Sequence, residues 1–85
     1  MYSISFASSA IREYKRLPLD FQKVVAAVFE GEFRNNPFSH TLDVRKLQKP
    51  LVGYRLRIGE YRVLYTVKKE MITIYRIRHR KDAYK

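Results

Sequence analysis

The chain of 85 residues contains no cysteine, and this absence removes several kinds of chemistry. Disulfides, thiol nucleophiles and cysteine-based metal sites are all excluded. Only two histidines are present, His40 and His79, and no group of carboxylates accompanies them, so the sequence predicts neither a metal site nor a cofactor. It also lacks an apolar run of membrane-spanning length and a basic N-terminal segment followed by an apolar stretch. These absences predict a cytoplasmic protein that is not inserted in a membrane.

Positive charge is what the sequence has in excess, and the excess lies in one half of the chain. Residues 1–42 contain five Lys/Arg and four Asp/Glu, whereas residues 43–85 contain thirteen Lys/Arg and four Asp/Glu, a net charge of +1 against +9. Solubility alone does not require so much charge. The asymmetry therefore predicts a polyanionic partner, which could be nucleic acid, an anionic membrane or an acidic protein. A basic surface that serves only solubility is the alternative.

The N-terminal half has the pattern of one strand followed by two helices. Residues 2–6 alternate and predict a strand, and Ser8 or Ser9 is expected to cap the helix that follows. Pro18 separates this helix from a second one, which ends at residues 35–37. The apolar residues at helical spacing are expected to lie in the core: Ala10, Tyr14, Leu17, Phe21, Val24, Val25, Val28 and Phe29.

The second half changes to a period of two, which predicts strands over residues 54–58, 61–67 and 71–77. Gly59-Glu60 fits a two-residue type II′ hairpin turn. A further short strand is possible near Val44. With 46% hydrophobic residues, the sequence predicts one folded domain over residues 1–85. Its predicted fold is α+β in the order β-α-α-β-β-β, with two helices packed on one face of a small antiparallel sheet and the other face partly open.

The hairpin register carries the main functional inference. With Gly59-Glu60 as the turn, Arg57 directly faces Arg62, and Arg55 lies on the same face. Directly opposed like charges are destabilising. Guanidinium groups hold phosphate in a bidentate manner, so the pattern favours a surface that binds a phosphate. A solvated face on which the arginines splay apart is the alternative interpretation.

Two stretches of sequence together resemble the RelE branch of the RelE/ParE toxin superfamily. They are YRLRIGEYRVLY (Tyr54–Tyr65) and RIRHRKDAYK (Arg76–Lys85). KLQKPLVG (Lys46–Gly53) and the two helices agree, so the resemblance covers essentially the whole chain. It implies the toxin of a toxin–antitoxin pair, which forms a hetero-oligomer with its cognate antitoxin. It also implies an mRNA interferase that binds the ribosome and its 16S rRNA and cuts mRNA in the A site. The implied reaction is attack by a ribose 2′-OH on the adjacent phosphate, and it requires no metal ion.

The resemblance also implies roles for individual residues. Arg62 and Arg80 would stabilise phosphate charge, and His79 would act as acid or base. Tyr84 would stack on or orient a nucleotide. Arg57 occupies a catalytic position that is often lysine in this branch, and it cannot act as a base because arginine stays protonated. Further cationic residues are expected to bind RNA: Arg55, Lys46, Lys49, Arg78 and Lys81.

Two other hypotheses stay open from the sequence. One is a ParE-like inhibitor of DNA gyrase, because that branch shares the fold without needing the nuclease residues. The other is a nucleic-acid-binding module without catalysis. Glu60, at the hairpin tip, is interpreted as a turn residue, so the sequence identifies no general base for the nuclease reaction.

Overall fold

The structure, a computed structural model, describes residues 1–84. Lys85, the last residue of the basic C-terminal stretch, lies outside the described residues. The elements in chain order are β1 (Ser3–Phe6), α1 (Ser8–Lys15), α2 (Leu19–Glu30), α3 (Glu32–Asn35), β2 (Val44–Lys46), β3 (Tyr54–Ile58), β4 (Tyr61–Lys68) and β5 (Met71–His79). The predicted helices and strands are present, including the short strand at Val44. The single turn of α3 was not predicted. None of the described helices is long and apolar enough to cross a membrane.

The five strands form one sheet in the order β1-β5-β4-β3-β2. Three of the four strand pairs are antiparallel, but β1 runs parallel to β5, with Ser3 opposite Met71. The predicted antiparallel pairing is present in these three pairs, and the parallel β1–β5 pair, which was not predicted, makes the sheet mixed. The physical reason is that β1 leads into helices rather than a hairpin, and such a long connection permits parallel pairing.

The helices pack on one face of this sheet. One row of neighbouring residues across the sheet faces the helices and is at most 2% exposed. It consists of Leu56 of β3, Val63 of β4 and Ile77 of β5. Tyr65 is fully buried, and its hydroxyl donates a hydrogen bond to the Pro37 carbonyl at 2.6 Å. Burial raises the pKa of the Tyr65 phenol, which keeps it a donor. Val24, predicted in the core, is instead 48% exposed.

The N-terminus of helix α1 is held by hydrogen bonds to β5, and no serine side chain caps it. Its N-cap is Ala7, which has no side-chain hydrogen bond, so the predicted Ser8 or Ser9 cap is wrong. The Ala7 amide bonds to the Ile74 carbonyl at 2.8 Å, and the Ser9 hydroxyl donates to the Tyr75 carbonyl at 3.1 Å. The start of α1 thus provides hydrogen-bond donors to two β5 carbonyls, those of Ile74 and Tyr75, where the pairing with β1 ends.

The turn between β4 and β5 gives a first testable expectation. Lys69 has a φ of 56°, a left-handed conformation that costs a residue with a Cβ about 1–2 kcal/mol. Lys69→Gly removes this strain but adds backbone entropy to the unfolded chain, so we expect the free energy of unfolding to rise by about 1 kcal/mol. Urea denaturation measures the change. Lys68→Gly is the matched control, because it removes the same charge from a strand position and should lower stability. Equal changes in the free energy of unfolding for the two variants would contradict the proposal that the backbone of Lys69 is strained.

Candidate functional site

Arginines cover the sheet face opposite the helices. Arg62 of β4 lies between Arg57 of β3 and Arg78 of β5, which confirms the predicted opposition of Arg57 and Arg62. In the next row, Arg55 lies beside Arg45 of β2, and Leu64 separates it from Arg76 of β5. We call these six residues the arginine face: Arg45, Arg55, Arg57, Arg62, Arg76 and Arg78. Neither Arg45 nor Arg76 was predicted as a site residue, although Arg76 alternates with Arg78 at the strand period.

The C-terminal turn folds back over part of the arginine face. The Ala83 carbonyl accepts a hydrogen bond from Arg76 Nη1 at 2.9 Å, and Ala83 is fully buried. This turn brings Tyr84 to a cavity of about 440 Å³, whose polar lining includes Asp43, Arg45, Lys46, Arg55 and Arg57. Tyr84 is 49% exposed, so its ring is accessible from this cavity. The structure therefore brings four of the predicted site residues together: Lys46, Arg55, Arg57 and Tyr84.

Asp43 is a carboxylate that joins Arg55 and Arg57 in the structure. Its Oδ1 accepts a hydrogen bond from Arg55 Nη2 at 3.0 Å, and its Oδ2 lies 2.7 Å from Arg57 Nε. The Asp43 carbonyl also accepts the Arg57 amide at 2.9 Å. Sequence reasoning missed Asp43 because the pairing of β2 with β3, which places it there, was not predicted. Asp43 thus adds to the cationic cluster a carboxylate that the sequence analysis did not place there.

Arg62 and Arg80 are held by the β3–β4 hairpin. Arg62 Nη1 donates to the Gly59 and Tyr61 carbonyls at 3.0 and 3.1 Å. Arg80 Nε lies 2.9 Å from Glu60 Oε2, and the Arg80 amide donates to the Glu60 carbonyl at 2.8 Å. Glu60 is thus more than a turn residue, since it fixes Arg80 at two points. The ion pair is exposed and adds little stability, so its main effect is on side-chain orientation.

His79 lies in a different cavity, of about 410 Å³, lined also by Glu13 and Asp82. It is opposite Tyr61 in the register, on the helix side of the sheet, with ring centroids 5.6 Å apart. The Lys81 amide donates to His79 Nδ1 at 3.3 Å, which puts the hydrogen of the neutral ring on Nε2. The structure thus lines the two cavities with different residues and does not place His79 beside Tyr84.

Arg78 connects the two sides of β5. It belongs to the arginine face by register, but its Nε is bound to Glu13 Oε2 of α1, and it lines the cavity of His79. Glu13 Oε1 also accepts the Ile77 amide at 2.8 Å. Two other cations predicted to bind RNA, Lys49 and Lys81, are exposed and line neither cavity.

A third cavity, larger than these two, lies away from the arginine face. It has a volume of about 660 Å³, opens between β1, α1 and α2, and is mainly apolar, with Ile4, Phe6 and Phe29 in its lining. Its charged lining residues are Lys15, Glu30 and Arg34, of which Glu30 and Arg34 form an ion pair. The smaller cationic cavity, with its three arginines, is therefore the candidate site. Among residues 1–84, no cluster of His, Asp and Glu side chains could hold a metal ion.

Comparison with known proteins assigns this fold and surface to a family. Residues 4–84 match the family model of the ParE toxin of type II toxin–antitoxin systems. The chain is a RelE/ParE superfamily toxin. The toxin is 32% identical to toxin RelG of Mycobacterium tuberculosis, over 99% of this chain and 97% of that protein. It is 28% identical to toxin RelE3 of Methanocaldococcus jannaschii, over 95% of this chain and 93% of the relative.

Solved structures agree with this assignment. The toxin resembles a chain of the RelBE2 toxin–antitoxin complex of M. tuberculosis with a TM-score of 0.81 and 26% identity, over 92% of this chain and 96% of that one. The RelB–RelE complex of Methanococcus jannaschii gives a TM-score of 0.76 and 27% identity, over 91% of each chain. The predicted superfamily and α+β fold are therefore confirmed.

Proposed function

We propose that the toxin is a ribosome-dependent endoribonuclease that cleaves mRNA in the A site. The observation that carries the proposal is the convergence of Arg45, Arg55, Arg57 and Tyr84 on one cavity of the sheet surface. Guanidinium groups bind phosphate oxygens, and an accessible tyrosine ring beside them can stack on a base. Such a cavity suits a single-stranded RNA segment whose base and phosphate are both held.

The proposed reaction is an internal transfer at phosphorus. The ribose 2′-oxygen forms a bond to the adjacent phosphorus while the bond from phosphorus to the 5′-oxygen breaks, leaving a 2′,3′-cyclic phosphate and a 5′-hydroxyl. The proton of the 2′-OH passes to a water molecule, which we propose as the base. A second proton is delivered to the leaving 5′-oxygen. Arg57, Arg62 and Arg80 stabilise the negative charge that builds on the pentacoordinate phosphorus.

His79 is the proposed acid for the leaving 5′-oxygen, because its imidazolium form can give up the proton on Nε2, the ring nitrogen that does not receive the Lys81 amide. This role requires the scissile phosphate to extend past Arg62 and Arg78 toward the end of β5. Tyr84 would stack on the nucleotide next to the cut. The other predicted cations would bind the RNA backbone: Arg55, Lys46, Lys49, Arg78 and Lys81.

The partners follow from the family. Structures of relatives contain toxin–antitoxin complexes, so we propose a cognate antitoxin that forms a hetero-oligomer with this toxin. In the cytoplasm, mRNA and the 16S rRNA of the ribosome would be the nucleic-acid partners. The basic surface, with its formal net charge of +10, suits both the RNA and an acidic segment of an antitoxin.

Inhibition of DNA gyrase is the second candidate function. The observation that favours it is the matching family model, which is described as the ParE toxin. The named relatives, RelG and RelE3, support the first candidate through their resemblance over nearly the whole chain.

The test is to incubate purified toxin with mRNA-programmed ribosomes and to map new 5′ ends by primer extension, beside a gyrase supercoiling assay. We expect cuts in ribosome-bound mRNA, upstream fragments that end in a 2′,3′-cyclic phosphate, and unchanged supercoiling. Gyrase inhibition with intact mRNA would overturn the nuclease in favour of the second candidate. RNA binding that weakens with salt but leaves the RNA uncut would indicate a non-catalytic binding module.

A further inference from the structure

One carboxylate is shared by two arginines at the centre of the cationic cavity. Asp43 contacts Arg55 Nη2 at 3.0 Å and Arg57 Nε at 2.7 Å, one with each oxygen. The Arg55 side chain is only 11% exposed, whereas those of Arg57 and Asp43 are 53% and 38% exposed. Arg55 is therefore the buried anchor of Asp43, and Arg57 is the partner that faces solvent.

The contact with Arg57 leaves the phosphate-binding edge of the guanidinium unoccupied. Asp43 meets Arg57 at Nε, and the two terminal amino groups form no hydrogen bond to any residue among 1–84. Those amino groups form one of the two edges at which a guanidinium can bind phosphate oxygens in a bidentate manner. Asp43 thus fixes the direction of the guanidinium without occupying the edge that a phosphate would use.

Two other carboxylates also contact an arginine at Nε. Glu60 of the hairpin meets Arg80 at Nε, and Glu13 of α1 binds Nε of Arg78. In each of these pairs the nearest carboxylate contact is at Nε rather than at a terminal amino group. By contrast, Asp43 meets Arg55 and Glu30 meets Arg34 at a terminal amino group. Contact at Nε therefore distinguishes Arg57, Arg78 and Arg80 among these ion pairs.

We propose that Asp43 is the positioning residue of the phosphate site, and that it weakens RNA binding while accelerating cleavage. The inference rests on the proposed nuclease function. Asp43 cancels one of the two guanidinium charges, which reduces attraction for a ground-state phosphodiester of charge −1. Its hold on Arg57 favours the pentacoordinate transition state of charge −2, which needs donors already in place. Interactions that are stronger in the transition state than in the ground state raise the rate of the chemical step.

Asp43→Asn separates these two effects. Asparagine keeps one oxygen acceptor but removes the charge, so we expect binding of a short uridine oligoribonucleotide, measured by fluorescence anisotropy at low salt, to tighten about threefold to tenfold. We expect the rate of mRNA cleavage on ribosomes to fall about 10- to 100-fold. Glu30→Gln is the matched control. Glu30 is exposed, pairs only with Arg34 on the helical side, and its loss raises the net charge by the same amount.

The proposal requires the two readouts to move in opposite directions for Asp43→Asn beyond the shifts seen for Glu30→Gln. A loss of both binding and cleavage would show a merely structural role, and unchanged values would also overturn the inference. Asp43→Glu guards against misfolding, since it keeps the charge and should bind RNA as the unmodified toxin does while cutting more slowly. Circular dichroism checks that each variant is folded.

Failure of the proposed function is distinguishable from failure of this inference. If the unmodified toxin does not cut mRNA, the nuclease proposal fails, and the claim that Asp43 raises the cleavage rate fails with it. If the unmodified toxin cuts, and Asp43→Asn behaves like Glu30→Gln in both assays, the inference alone fails.

Discussion

Replacing Arg57 with alanine is expected to lower the rate of mRNA cleavage on the ribosome by about 100- to 1,000-fold, the usual cost of losing one preorganised donor to a charged transition state. Arg57 combines an exposed side chain, an orientation fixed by Asp43, and terminal amino groups without a hydrogen bond among residues 1–84. The variant also leaves Asp43 with Arg55 alone, which reduces the positive charge of the cavity further. Single-turnover cleavage of ribosome-bound mRNA measures the effect.

Arg12→Ala is the matched control for this variant. Arg12 is exposed on α1, lines none of the three cavities described above, and its loss changes the net charge equally. Arg57→Lys should retain part of the rate, because lysine supplies the charge but not the planar fork. If Arg57→Ala and Arg12→Ala cut at the same rate, Arg57 has no role in the chemistry.

The largest effect on stability is expected from Gly53→Ala. Gly53 has a φ of 98°, and a Cβ built on it would lie 2.1 Å from the Tyr65 carbonyl oxygen and 3.1 Å from Thr66 Cγ2. The clash is with the backbone of β4, which cannot rotate away as a side chain could. Strain from the positive φ and overpacking together predict a loss of more than about 3 kcal/mol in the free energy of unfolding. Urea denaturation followed by circular dichroism measures it.

Gly59→Ala separates conformational strain from collision. Gly59 also has a positive φ, 58°, but its nearest atom to an added Cβ is Phe21 Cε1 at 3.7 Å, an ordinary contact. This variant should lose only about 1–2 kcal/mol. Equal losses for Gly53→Ala and Gly59→Ala would mean that the close approach of Gly53 to β4 has no energetic consequence.

The hairpin that carries the site could be predicted from the sequence because two local signals agree. Residues on both sides of Gly59-Glu60 alternate with a period of two, and a glycine at the first turn position fits a two-residue loop. That combination leaves one register, which places Arg57 opposite Arg62, and the structure has this pairing. The positive φ of Gly59 agrees with the type II′ turn.

The features that escaped prediction depend on pairs far apart in the sequence. Asp43 reaches Arg55 and Arg57 because β2 pairs with β3 across a loop that contains one proline, Pro50, and one glycine, Gly53. The period of the short β2 segment is too brief to specify that pairing. The separation of His79 from the cationic cavity follows from its register opposite Tyr61. The resemblance implied roles for His79 and Tyr84 in one reaction, but successive strand residues point to opposite faces, and His79 lies on the helix side.

The parallel pairing of β1 with β5 has a consequence for the time at which the sheet surface is completed during synthesis of the chain. Ser3 pairs with Met71, and β5 lies between β1 and β4, so the first strand must wait for the last one before the sheet is complete. Closing such a long loop is entropically costly and makes folding slow. The arginine face draws Arg76 and Arg78 from β5, and the turn that carries Tyr84 comes after it. A growing chain therefore lacks the complete surface until β5 and the turn after it have been synthesised.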